Sequence, residues 1–204
     1  PELLGRVGAL QAQLLRDGIK ALWLDASSSL TYFTGLSLGL SERVHGALVP
    51  AAGDLIYVSP RFEAPKLRSL LRVAGAIVVW EEDESPYALI AAQVAALDAP
   101  GAGLALDPAT PYAFAAALME AVQGPVTSAQ QMISGQRQVK SAAEIALIQT
   151  AMVASLSVQK AVHAGLRRGV MASEVKAFIN AAHRALGLTP LFAALMSATL
   201  LGEP

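Results

Sequence analysis

The chain has 204 residues, with 15 Lys+Arg against 16 Asp+Glu for a formal net charge of −1; 54% of residues are apolar, 15% are charged, and there is no cysteine. The length is ample for a buried core and allows one large domain or two small ones, which excludes a disordered chain. The near-neutral balance argues against a nucleic-acid or anionic-membrane surface, and the lack of cysteine removes disulfides, thiolate nucleophiles and cysteine-based zinc sites.

The start, Pro1-Glu2-Leu3-Leu4-Gly5-Arg6, lacks a basic segment leading into an apolar run, so no signal peptide is read and a cytoplasmic location is expected. No uninterrupted apolar stretch approaches the ~18–20 residues of a spanning helix. Leu3, Val7, Leu10 and Leu14 recur at helical spacing and predict a helix over about Glu2–Asp17, stopped by Gly18. Ala21–Leu24 reads as a short buried strand closed by Asp25 and the run Ser27-Ser28-Ser29. Gly46–Val49 and Leu55–Val58 are two strands of a hairpin, because Gly53-Asp54 stands between two apolar runs.

Beyond Pro60 helices and strands alternate. A helix is expected over about Glu63–Arg72 and a strand at Ala76–Trp80. Ser85-Pro86 then offers an N-cap and a first-turn proline for a helix to about Leu97. Leu104–Leu106 is a strand, Thr110-Pro111 opens a helix to about Val122, and Val126-Thr127 is strand-like. The pattern predicts an α/β domain whose mixed sheet, flanked by helices, contains one antiparallel hairpin. The character changes at about 130–138. Ser141 and Glu144 fit a capping box opening a helix to about Gly165, and a second helix is expected over about Ser173–Leu186. Last comes the apolar run Leu191–Leu201, which reads as a buried strand close to the end of the chain.

Motifs alone yield no active site. Gly35-Leu36-Ser37-Leu38-Gly39 matches G-x-S-x-G, but a nucleophile elbow needs a strand before it and a helix after. Here the flanks predict a glycine-bounded loop, so a serine hydrolase using Ser37 is the weakest reading. His163 and His183 stand on different predicted helices with no carboxylate at ligand spacing, and His45 comes just after the Ser37–Arg43 loop. Glu81-Glu82-Asp83-Glu84 precedes a helix N-terminus, where negative charge is favourable. Gly101-Ala102-Gly103 is a turn.

Arg137-Gln138-Val139-Lys140-Ser141-Ala142-Ala143-Glu144-Ile145, with Ile148 and Ala151, resembles the R-x-[IV]-K-S-x-x-E-I-x-x-[IL]-x-x-A signature of the pita-bread metallopeptidases and their creatinase relatives. That signature opens the catalytic domain of Xaa-Pro dipeptidases (prolidases) and Xaa-Pro aminopeptidases. Leu30-Thr31-Tyr32-Phe33-Thr34-Gly35 is similar to the "YLTG" segment of the N-terminal domain of that family. Trp80 with its acidic followers and Pro86, and Leu104-Ala105-Leu106-Asp107 before a helix, also match in order. Gly169 and Glu174-Val175 fit the family's G-x-T-E-x-E-[IVL] stretch in part, with Met171 and Ala172 in place of Thr-Glu.

The resemblance implies a creatinase/prolidase-type N-terminal α/β domain over residues 1–134 and, over 135–204, the first helices of a truncated α+β pita-bread catalytic domain. It implies a hydrolase of the bond before proline in di- or oligopeptides, with two divalent ions (Mn, Co or Zn) held by two Asp, one His and two Glu. None of those ligands falls at a matching position here, Glu203 included, so this chain is expected to carry no catalytic or metal residue and to be inactive alone. A homodimer is implied, in which the loop Gly35–His45 helps close the partner's active site; Ser37, Glu42, Arg43 and His45 are its polar candidates. The alternative is a non-catalytic interaction module of the same fold.

Overall fold

Val7, Leu10 and Leu14, one helical turn apart, are the buried stripe of helix α1 (Glu2–Asp17) in the computed structural model, which describes residues 1–191. Gly18 ends the helix in the left-handed region (φ 66°), a conformation that costs glycine little. The next strand, β1 (Ile19–Asp25), is longer than its apolar centre suggests, because its first residues pair with one neighbouring strand and its last with the other. With β2 (Gly46–Pro50), β3 (Leu55–Pro60), β4 (Gly75–Trp80), β5 (Ala102–Leu106) and β6 (Val126–Ser128) it forms one sheet of order β4-β3-β2-β1-β5-β6. The β2–β3 pair is the expected antiparallel hairpin, and β1 also pairs antiparallel with β2. The pairs β3–β4, β1–β5 and β5–β6 are parallel. Trp23 of β1 lies opposite Leu48 on one side and Leu106 on the other.

Side chains alternate across this sheet, so each strand feeds two cores. Leu22 and Leu24 pack with α1 on one face; Ala21 and Trp23 pack on the other. The second core is covered by α4 (Pro86–Ala96) through Ile90 and Val94 and by α5 (Tyr112–Ala121) through Leu118. Ser85 Oγ accepts from the Ala88 N–H at 3.2 Å, the cap its sequence announces. The result is an α/β domain with a mixed six-stranded sheet between helices.

Three features depart from the sequence reading. The Ser27-Ser28-Ser29 run does not simply close a strand: Ser27 Oγ accepts from the N–H groups of Ser29 (3.0 Å) and Leu30 (3.2 Å) and caps helix α2 (Ser28–Thr34). The segment after Pro60 begins as a single 3-10 turn, Arg61–Glu63, before α3 (Ala64–Leu70). Helix α6 (Gln130–Gln138) forms where a junction was expected. Its Ser134-Gly135 pair is a weak helix former, and burial of Ile133 in the core beneath α1 overrides that propensity.

The chain divides into two compact units, Pro1–Val139 and a second beginning at Lys140. The second contains α7 (Ala142–Gly165) and α8 (Ala172–Ala185). The capping box that opens α7 is formed: the Glu144 N–H donates to Ser141 Oγ (3.1 Å) and the Ser141 N–H to Glu144 Oε2 (2.8 Å). At α8 only the return half exists as a strong bond, Met171 N–H to Glu174 Oε2 at 2.9 Å. His183 Nδ1 faces the Ile179 carbonyl at 2.8 Å and Nε2 faces Ser155 Oγ at 3.4 Å, so this histidine pins α8 to α7, while His163 is exposed.

Helix α7 is the longest helix among the described residues. It has 24 residues and is long and apolar enough to cross a membrane by length and composition alone, although its apolar residues are interrupted by polar ones. Ile145, Ile148, Met152 and Leu156 are exposed in this unit. The apolar run Leu191–Leu201 and Glu203 lie, from residue 192 onward, outside the described residues.

Candidate functional site

Thr34 and Gly35 turn the chain out of α2: Thr34 Oγ1 donates to the Leu30 carbonyl at 2.7 Å, and Gly35 takes a left-handed φ of 72°. Residues 35–45 then form the loop that leads into β2. Ser37 thus has a helix before it and open loop after it, so no strand-to-helix elbow raises its hydroxyl. Ser37 is exposed, and so is Leu40 at the tip, at 86%.

The four polar candidates of the loop separate into two kinds. Ser37 and Glu42 face solvent. Arg43 and His45 are engaged. The Arg43 guanidinium donates Nε–H to Glu82 Oε1 at 2.8 Å and Nη1–H to Glu42 Oε1 at 3.0 Å, and lies 5.4 Å from the Phe62 ring centroid. Glu81 pairs with Arg61. Two of the four carboxylates in the acidic run therefore tie the end of β4 to the loop and to the 3-10 turn. His45 is buried, 6% exposed, with Nδ1 3.3 Å from Glu63 Oε2 and Nε2 3.1 Å from the Gly39 carbonyl oxygen.

Two cavities flank this loop. One, of about 260 Å³, is lined by loop residues together with His45, Ser59, Glu63 and Lys66. The other, of about 450 Å³, lies against Ala26, Ser27, Thr31 and Ala109. Ser37, Leu38 and Leu40 belong to the walls of both. Glu63 and Lys66 escape a sequence reading because they lie on different elements from the loop; only the pairing of β2 with β3 brings them to His45.

A buried carboxylate pair stands beside the second cavity, at the carboxyl ends of the parallel strands β1 and β5. Asp107 accepts from Ser27 Oγ (2.5 Å), Ser29 Oγ (3.3 Å) and the Ala109 N–H (3.0 Å). Asp25 accepts from Trp23 Nε1–H (3.1 Å) and the Ala26 N–H (2.8 Å). Burial pushes the Asp25 carboxyl above its ordinary 3.8; the Trp23 and Ala26 bonds oppose this, the Asp107 charge adds to it, and charge at His45 opposes it. Asp25 does not stand out in the sequence as a site residue, since it looks like an ordinary strand end, while Asp107 is legible only as the end of the matching Leu104–Asp107 segment.

Arg137 donates to Ser29 Oγ at 3.3 Å and lies 5.8 Å from the Tyr32 ring centroid; Arg6 lies 4.0 Å from the same centroid and donates to the Tyr32 carbonyl. Tyr32 Oη–H in turn donates to the Gln136 carbonyl at 3.2 Å. Two stretches far apart in sequence, Leu30–Gly35 and the segment at Arg137, are thus packed on each other. Among the described residues no group of three or more His, Asp or Glu side chains could hold a metal ion.

The family model for the creatinase/prolidase N-terminal domain matches residues 6–139. The dipeptidase PepE from Mycobacterium ulcerans is similar over 90% of this chain and 49% of its own, at 26% identity and a TM-score of 0.76. A recombinant prolidase from Thermococcus sibiricus is similar over 90% and 50%, at 22% identity and a TM-score of 0.74. The N-terminal domain of an Xaa-Pro dipeptidase from Lactobacillus brevis, solved by itself, is matched over 98% of its length and 63% of this chain, with 19% identity and a TM-score of 0.56. This chain spans about half the length of the first two. No curated protein matches it.

Proposed function

Because the chain belongs to the creatinase/prolidase N-terminal domain family, we propose that it is the N-terminal portion of an Xaa-Pro dipeptidase or aminopeptidase that cleaves the peptide bond before proline. The observation that carries the reading is the match over residues 6–139. The 26% identity to M. ulcerans PepE, over 90% of this chain, supports it. In this proposal residues 1–134 are the N-terminal domain and 135–204 open the catalytic domain, in a cytoplasmic homodimer.

The described residues do not fit the pair of divalent ions that the resemblance implies, since no suitable donor cluster exists among them. The chain alone is proposed to be inactive. Its own contribution is the loop Gly35–His45, proposed to face the substrate of a partner subunit. Ser37 and Glu42, which point to solvent, are the groups exposed enough to touch a peptide; Arg43 and His45 hold the loop's shape.

The test has two arms. The 204-residue chain, given an Xaa-Pro dipeptide with Mn²⁺, Co²⁺ or Zn²⁺, is expected to show no turnover, and robust metal-dependent turnover would overturn the inactive-alone claim. A chimera with this chain in place of the matching half of M. ulcerans PepE is expected to retain dipeptidase activity. A folded chimera without activity would favour a non-catalytic interaction module.

A further inference from the structure

The loop is clasped by a residue at its own foot. Among the described residues the contact between His45 Nε2 and the Gly39 oxygen, 3.1 Å, is the one hydrogen bond joining Ser37–Leu40 to the rest of the domain. Leu38 rests partly buried on the first core, but the exposed Leu40 gives the tip no apolar anchor. The position of the Gly39 carbonyl therefore sets where the tip stands, and with it the shared wall of the two cavities.

The other ring nitrogen faces Glu63 Oε2 at 3.3 Å. A carbonyl oxygen only accepts, and an ionised carboxylate only accepts. A neutral imidazole has a single N–H, so it can serve one of these two partners while turning a lone pair on the other. Both contacts are satisfied together when ring and carboxylate jointly hold the second proton, as an imidazolium–carboxylate pair. His45 is buried while Glu63 keeps part of its surface in solvent, so a facing pair of acceptors is penalised chiefly on the side of the ring.

We propose that the proton held between His45 and Glu63 latches the Gly39 carbonyl and so positions the Ser37–Arg43 loop, and that losing this proton releases the loop. His45 and Glu63 are positioning residues in this scheme; substrate contact stays with Ser37 and Glu42. The assignment rests on the reading that the loop reaches substrate, but the latch itself is a property of this chain. The other charges around the ring come from each neighbouring element. Lys66 on α3 faces the same cavity, Asp25 on β1 interacts with His45 electrostatically, and Arg43, two residues away, is paired with Glu82 at the end of β4.

The ring nitrogens of His45 and the backbone amides of residues 37–43 can be followed by ¹⁵N NMR on the full 204-residue chain from pH 5 to 9, where histidines change charge. The loop amides are expected to shift with the same midpoint as the His45 ring and to gain fast motion at the basic end. In Glu63→Gln the new amide donates to the bare Nδ1 while Nε2–H still donates to Gly39. The loop is then expected to stay latched across the whole range. Loop amides that stay still while His45 titrates would overturn the proposal, as would a Glu63→Gln loop that tracks pH like the unaltered one. The wild-type titration needs no substitution, so a poorly folding variant leaves the test intact. The PepE chimera reads the parent activity separately: an inactive chimera with a pH-dependent loop overturns the functional reading and leaves the latch standing.

Discussion

At Gly46 the first residue of β2 passes so close to β1 that a Cβ would strike the Leu24 carbonyl oxygen and stand 2.9 Å from the Trp23 ring. The pinch explains why glycine begins the strand directly after the buried His45. Gly46→Ala is expected to destabilise the first unit by about 1–3 kcal/mol, as overpacked cores do, read as a lowered midpoint in chemical denaturation. The buried Asp25 gives a pH signature. Its native carboxyl keeps a proton to higher pH than the unfolded one, which titrates near 3.8. Between those two values the folded state binds more protons, so unfolding free energy falls as pH rises through the window and levels off above it. Asp25→Asn is expected to remove that fall, measured by denaturation at a series of pH values from 3 upward. A slope unchanged in the variant would assign the pH dependence to another group.

Helix caps show how much of an element is written locally. Ser141 and Glu144 announce α7 in the sequence and form both reciprocal bonds, because a capping box needs only residues three apart. Ser141→Ala is expected to cost about 0.5–2 kcal/mol of helix stability, visible as faster amide exchange over 142–146 with exchange in the first unit unchanged. Ser27 caps α2 by the same chemistry, yet the three serines in a row also read as a strand-ending loop, so the motif alone did not single out a helix of seven residues. Helix α6 had no local signal; it exists because Ile133 finds the core beneath α1. Local rules were sufficient where side chain and backbone are near neighbours in sequence, and failed where burial supplied the energy.

For the whole molecule, the two units behave differently as surfaces. The first encloses two cores on either side of its sheet, whereas α7 exposes Ile145, Leu147, Ile148, Met152, Val153 and Leu156. Exposed apolar area of this kind drives association. Sedimentation velocity of the full chain is expected to show concentration-dependent self-association. A piece ending at Val139, comparable to the L. brevis domain solved by itself, is expected to sediment as a monomer. Equal association by both would place the sticky surface in the first unit instead.

The sequence by itself determined the α/β alternation, the β2–β3 hairpin and the caps of α4 and α7, because each rests on periodicity or on residues a few positions apart; the family was legible as a resemblance of motifs kept in order along the chain. The family resemblance pointed to the loop Gly35–His45 and its four polar residues as candidates. Tertiary structure alone decided which partners the side chains meet. His45 meets Glu63 through strand pairing, Arg43 meets Glu82 at the end of β4, Asp25 meets Asp107 through the β1–β5 contact, and Tyr32 meets Arg137 through α6. Each of these contacts joins residues that the sheet order brings together from separate elements, and no spacing along the chain encodes that order.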